Sequence, residues 1–485
     1  MSSTSLYRPD AFPAARGAAH GKSKRSPADT WGRVMVLVVL GVWAVSVVAG
    51  FEAGLLVLST IAIAAAIFGL NRPFLGVLGI TMLCTLDSIS RVYLLTGGLW
   101  RWNTFNYWLL VVMLLSLPFL LQLHDTPTRF LQLLVLLFLV QLLFSDDRMT
   151  GIQHVLNVIT LFGILVYLGR AARHPDVWYW IAIVNGLLAG AGSLVFYLQK
   201  ANLPEANANA WAFFPLTAIF CLAVSFTLAG TQRGRWTRAL LAGINALWVF
   251  LSGSRGSFLI AVLCLVFIVY QLRRTGRVLP VLAVAALLAA GLLSQFTGEE
   301  KQAVYRFRSL FDARRPMTNR TSGRSELAKG GWRIFLEHPL GVGTGAFGDA
   351  WANIENREGM SVFREGEYSQ AHSGWIKTLA ENGVPGIILL AAFVLSFGII
   401  GWKTRALGLF PLGLLATVGL SLAFLADEFQ AKGIWLFTAA VMTSLRRGSA
   451  FLSHPAPEPG GTAPAPAGTF SFRRPKRAAP LRSRR

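Results

Sequence analysis

The chain has 485 residues, of which 54% are hydrophobic and only 14% charged, and its mean hydropathy is +0.53. A soluble protein of this length needs far more charge on its surface, so the composition excludes one and points to a polytopic inner-membrane protein. The formal net charge of +22 does not signal nucleic acid, because the basic residues sit in short connectors and in the two tails.

Residues 1–30 are polar and basic, with no apolar core or small-residue cleavage site before Trp31, and read as a disordered cytoplasmic tail. Apolar runs follow at 34–50, 52–70, 74–96, 104–123, 128–144, 152–169, 177–199, 211–229, 238–252, 257–272, 279–296, 384–402, 408–426 and 430–445. Each is a candidate membrane helix, about fourteen in all. The run 238–252 is the weakest, and 74–96 carries Asp87 and Arg91 four residues apart, the spacing of an internal ion pair. Cys84, Cys221 and Cys264 lie inside apolar runs without ligand spacing, which supports neither a disulfide framework nor a zinc site.

With the N-terminus inside, the cytoplasmic connectors hold Arg72, Arg129, Arg170, Arg173, Arg233, Arg235, Arg238, Arg273, Arg274, Arg277, Lys403 and Arg405. The opposite short connectors hold only Arg101, Arg148, Lys200, Arg255 and Lys432. Cytoplasmic loops require this asymmetry. The expected organisation is therefore a tail over 1–30, membrane helices over 31–296, one long periplasmic loop over 297–383, further membrane helices over 384–446, and a basic Pro/Ala/Gly-rich cytoplasmic tail over 447–485. That tail reads as unfolded chain attracted to anionic lipid heads. A connection as long as 297–383 inside a compact protein is usually functional.

The candidate chemistry gathers on the outer side. Of the seven histidines, His20 and His454 are in tails and His124 and His174 in cytoplasmic connectors. His154 heads a span from the outside, and His338 sits in an "HPLG" turn. His372 opens an amphipathic segment just before the apolar run at 384, followed by Ser373, a helix-starting residue type. It reads either as a capping or surface histidine, or as a group that accepts a proton from, or orients, a hydroxyl. Arg255, in "SGSRGS", is an arginine at an outer membrane boundary flanked by small residues. It reads as a snorkelling anchor or as a fork for phosphate oxygens. Gly341, Gly343 and Gly345 read as a flexible turn, with phosphate cradling as the alternative. Asp427 and Glu428 form an acidic pair between the last two runs, either a solvated turn or a contact for acceptor hydroxyls. Asn207 and Asn209 open a span, as caps or as sugar contacts.

His372-Ser373, nine residues, then Gly383-Val384-Pro385-Gly386 fits the pattern H-[NSQ]-x9-G-x-x-[GTY]. With "EHPLGVGTGAF" (337–347) and "LSGSRGSF" (251–258) upstream, the chain resembles the O-antigen ligase/polymerase family, membrane enzymes that use polyprenyl-diphosphate-linked glycans. By motif the resemblance covers roughly 207–445. It implies an all-α polytopic bundle of about 12–14 membrane helices, GT-C-like, with one long periplasmic loop. It also implies a metal-independent inverting transfer without cofactor, and no Asp-x-Asp signature occurs in the outer loops. The implied roles are His372 as catalytic group, and Arg255, Arg324 and Arg320 as diphosphate ligands. Asn207, Asn209, Asp427 and Glu428 become candidate substrate or acceptor contacts. The family often carries tryptophan four residues after the arginine matched by Arg324; here that position is Ala328, with Trp332 one turn later. The implied partners are a polyprenyl-diphosphate-linked glycan donor, a lipid A-core or second lipid-linked glycan as acceptor, and membrane lipids, but no nucleic acid. A transporter or flippase of lipid-linked sugars is the alternative, with Asp87 and Arg91 as its supporting feature. A purely structural assembly protein would leave the Arg/His set unexplained.

Overall fold

The computed structural model describes residues 27–68, 73–94, 125–171, 175–199, 208–228, 232–252, 254–272, 324–358, 373–426 and 432–453. The elements are all helical: α1 (Pro27–Ala49), α2 (Phe51–Phe68), α3 (Pro73–Leu94), α4 (Thr126–Leu142), α5 (Arg148–Ala171), α6 (Pro175–Gln199) and α7 (Ala208–Leu228), then α8 (Gln232–Leu251), α9 (Arg255–Leu272), α10 (Arg324–Glu337), α11 (Phe347–Glu358), α12 (Gly374–Lys403), α13 (Phe410–Ala426) and α14 (Lys432–Ser453). Every apolar run is occupied by a helix except 104–123 and 279–296, which lie outside the described residues. Among the described residues three stretches, Thr30–Ala49, Arg148–Leu168 and Gly374–Lys403, are long and apolar enough by themselves to cross a membrane, and shorter apolar helices accompany them. The protein is an all-α membrane protein.

In a medium without water the backbone must satisfy itself, which only helices or closed barrels achieve. The side-chain hydroxyls follow the same rule. Ser59, Thr85, Thr438, Thr443 and Ser444 each donate to the carbonyl one turn earlier. Deeper in the bundle, Thr85 on α3 meets the Asn185 amide on α6, a buried polar pair between helices. Close helix approach uses small residues. At the α12–α13 crossing, a Cβ on Gly413 would lie 2.7 Å from the Gly401 Cα, so neither position admits a side chain.

One large core runs through the bundle from α1 to α14. A second, separate core (Leu327, Ile334, Phe347, Trp351, Ile354 and Ala380) joins α10 and α11 to the start of α12. Residues 324–358 are therefore folded structure docked onto the start of α12.

Contacts pair like ends of the helices. At the end read as cytoplasmic, Arg446 of α14 is ion-paired with Asp125, the N-cap of α4, and donates to Thr128 Oγ1 at 3.0 Å. At that same end Arg238 differs from the sequence reading. It lies inside α8, which begins six residues before the apolar run 238–252, and it is buried. Its Nε donates to Ser225 Oγ at 3.1 Å, its Nη1 to the Gly234 carbonyl at 2.8 Å, and its guanidinium sits 4.2 Å from the Tyr179 ring centre. These partners let a connector arginine become the first turns of a helix. The side chains of Asp87 and Arg91 on α3 fall outside the described residues.

Candidate functional site

Several candidate site residues lie at or next to the described ends of helices. Arg255 is the first residue of α9 and Arg324 the first of α10. Asn209 is the second residue of α7, His372 immediately precedes the N-cap of α12, and Asp427 and Glu428 follow the last residue of α13. His372, Arg320, Asn207, Asp427 and Glu428 themselves lie outside the described residues, as do the side chains of Arg255, Arg324 and Asn209. The helices that carry them are neighbours in sequence around the bundle: α7 packs on α9, α9 on α13, α13 on α12, and α12 on α10. Contacts join the start of α12 to the last turn of α13 and to α10.

Local hydrogen bonds mark the starts of α12 and α9. Ser373 caps α12, its Oγ accepting from Ile376 N–H at 3.4 Å and lying 3.4 Å from the Phe424 carbonyl of α13. Trp375 Nε1 donates to the Ser421 carbonyl at 3.0 Å, so the residues following His372 are pinned to α13. Ahead of α9, Ser254 and Ser257 are buried and hydrogen-bonded to each other at 3.0 Å, and Ser254 N–H donates to Ser252 Oγ at 3.2 Å. Ser254 and Ser257 thus pack together at the start of α9.

The "HPLGVGTG" segment corrects the reading of a flexible turn. Gly341, Gly343 and Gly345 all have positive φ (94°, 100° and 93°), a backbone that favours glycine. Their N–H groups are largely engaged: Gly341 donates to the His338 carbonyl at 2.8 Å and Gly343 to the Glu381 carbonyl at 3.0 Å. A Cβ at Gly343 would lie 2.6 Å from Ser145 Cα, and one at Gly345 2.4 Å from Gly151 N. The glycines are there so that backbone can lie on backbone. The turn threads between the α4–α5 connection on one side and the first half of α12 on the other.

The α12 side of this seam is the part that sequence reasoning missed. Gly383 (φ 58°, ψ −152°) breaks α12 into an outer amphipathic part and the apolar span. Val342 N–H donates to the Ala380 carbonyl at 3.1 Å, and Val384 N–H to the Pro339 carbonyl at 3.0 Å, which closes a short two-way ladder across the break. Beside it lie Lys377, Glu381 and Asn382, all buried, with Glu381 and Asn382 each only 1% exposed. Glu381 Oε1 accepts from Phe347 N–H at 3.4 Å, the first amide of α11. Thr344 Oγ1 lies 3.1 Å from both the Phe138 carbonyl and Asn382 Oδ1. A hydroxyl has one proton, so it donates to Phe138 and the Asn382 amide turns its NH₂ toward the threonine. His154 of α5, read as heading a span, is buried, its ring centre 5.5 Å from that of Phe138. One signal was available in the sequence: Lys377 and Glu381 stand four apart in a segment that abuts a membrane run.

Arg255 occupies the first position of α9, after the non-helical Ser254, where the helix dipole is positive and disfavours a cation without an anionic partner. Residues 239–391 match the family model described as O-antigen ligase, a stretch holding Arg255, Arg320, Arg324, His372 and the whole glycine seam. It does not include Asn207, Asn209, Asp427 or Glu428. No curated protein matches the chain. The segment that carries the arginines, the glycine turn and the histidine is thus the part of the chain similar to the O-antigen ligase family model, in line with the family that the motifs resemble.

Proposed function

We propose that the protein is a metal-independent, inverting glycosyltransferase acting on the periplasmic face of the inner membrane. It moves a glycan from a polyprenyl diphosphate to an acceptor hydroxyl, either as a ligase onto lipid A-core or as a polymerase onto a second lipid-linked glycan. The acceptor oxygen attacks the anomeric carbon, the bond from that carbon to the diphosphate oxygen breaks, and the hydroxyl proton passes to His372. The polyprenyl diphosphate departs carrying the negative charge, which Arg255 and Arg324 neutralise, with Arg320 in support. Arginine suits this because its planar fork matches phosphate oxygens and keeps its charge. Stabilising that charge carries more of the rate than moving the proton, since a paired diphosphate is already a good leaving group.

The observation that supports this reading best is the placement of Arg255 as the first residue of α9, with Arg324 on α10 in the same matched segment, on helices linked through neighbours to the one His372 precedes. The helix dipole and the guanidinium both favour an anion there. The deciding experiment is the glycan phenotype of a deletion strain complemented with wild type or His372→Ala. Full-length chains left on the carrier lipid indicate a ligase, and single repeat units on it a polymerase. Lipid-linked units trapped on the cytoplasmic face would indicate a flippase and overturn the transfer reading.

A further inference from the structure

We propose that α10 is an interfacial membrane helix: Trp332, Leu336 and Leu340 rest in the lipid of the leaflet at the outer end of the bundle and seat the catalytic loop on the bilayer. The helix has three faces. At about 100° per residue, Leu327, Gly330, Gly331 and Ile334 share one side and are buried against α11 and α12. Lys329, Arg333 and Glu337 share a second, and Lys329 there pairs with Glu326 at 3.0 Å. The third side holds Phe335, Trp332 and Leu336, of which Trp332 is 51% and Leu336 59% exposed. Leu340, in the turn after the helix, extends it at 71%. A folded segment in water has no reason to present a tryptophan and two leucines in one row while keeping its charges to another side. Interfacial helices show this division, and tryptophan concentrates at that depth.

The row is continuous with the apolar surface of the bundle. Gln141 Nε2, in the last turn of α4, donates to the Leu340 carbonyl at 2.7 Å, which fixes Leu340 at the level where α4 ends. Along α4, Leu133, Leu136 and Val140 are exposed on one side, and Leu143 and Phe144 at its end are 71% and 70% exposed. Those residues face lipid in a membrane protein, and Leu340, Leu336 and Trp332 prolong the same surface around the rim. Arg324 begins α10 two turns before Trp332, about 12 Å along the axis. An α10 lying in the interface therefore holds that arginine at headgroup depth, where the diphosphate of a lipid-linked donor sits. This last consequence rests on the proposed function; the seating of α10 does not.

The test uses the full-length protein with a nitroxide at single introduced cysteines, W332C, L336C and L340C on the apolar row and R333C and E337C on the charged side. Cys84, Cys221 and Cys264 are buried and stay in place, with unsubstituted protein as the labelling control. In phosphatidylcholine/phosphatidylglycerol vesicles, oxygen and a water-soluble nickel chelate compete to relax the label. Oxygen should dominate at 332, 336 and 340 and nickel at 333 and 337, a reversal between positions adjacent in sequence. Equal nickel access at all five places the row in water and overturns the proposal. Exclusion of both reagents from the row means that a second copy or a partner protein covers it, which overturns it as well. Because no turnover is read, a lipid-seated α10 in a chain without transfer activity would sink only the glycosyltransferase reading.

Discussion

Gly383→Ala isolates the seam between the glycine turn and α12. With φ 58° and ψ −152°, Gly383 occupies backbone space that is essentially glycine-only, and a side chain there costs about 1–3 kcal/mol. The new Cβ would also lie 2.2 Å from the Pro339 carbonyl oxygen and 2.5 Å from the Leu340 carbonyl carbon, both backbone atoms. Relief requires that the 339–343 turn move away, which breaks the 3.0 Å bond from Val384 N–H to that same carbonyl, worth about 1 kcal/mol net. The sum, about 2–4 kcal/mol, acts locally, because the large core lies elsewhere. At 1.4 kcal/mol per tenfold, amide exchange at Val342, Gly343 and Val384 should accelerate by roughly 30- to 700-fold. Hydrogen–deuterium exchange on the purified protein reads this directly, while exchange in α1, α2 and α3 stays unchanged. Gly243→Ala is the control, since nothing lies within 4 Å of its Cβ position. Wild-type protection at the three amides in Gly383→Ala would refute the claim that the break is held by contact with the turn.

Arg255→Lys keeps the charge but loses the fork, and Arg324→Lys does the same; each should lower transfer by about 10²–10³ in a turnover assay with lipid-linked donor, and Arg320→Lys less. Near-normal turnover by Arg255→Lys would leave that residue as an interfacial anchor. His372→Ala should cost roughly 10²–10⁴ in transfer with donor binding retained, and His372→Gln separates hydrogen-bonded orientation, which it rescues, from proton abstraction, which it does not. Cysteine-accessibility labelling should reach the 231–238 connector only from the cytoplasm and the 297–383 loop only from outside; labelling of the loop from the cytoplasm would sink the proposed mechanism.

Much of the architecture was legible from hydropathy alone. A bilayer demands long apolar stretches with internally satisfied backbone, so runs such as 34–50, 177–199 and 408–426 had to be helices whatever they pack against. The motif order legible in the sequence likewise agrees with the O-antigen ligase match over 239–391. Helix boundaries were less legible where a partner distant in sequence decides them. Arg238 reads as a connector residue until Ser225 and Tyr179 supply what its buried guanidinium needs.

The site divides in the same way. Span counting predicts that arginines, a glycine turn and a histidine share one face, because alternation assigns each connector to a side. Their support does not follow. Gly341, Gly343 and Gly345 look alike in a flexible loop and in a backbone-to-backbone seam, since glycine serves both. Only the neighbouring atoms of Ser145, Gly151 and Glu381 distinguish the two. Lys377, Glu381 and Asn382 likewise belong in any amphipathic helix, and burial of a charged side chain is a property of what covers it. Residue type and spacing thus determined the helices, their order and the chemistry on offer. Tertiary structure decided which polar groups are buried and which glycines must stay glycine, because both depend on atoms brought close from tens to hundreds of residues away in the chain.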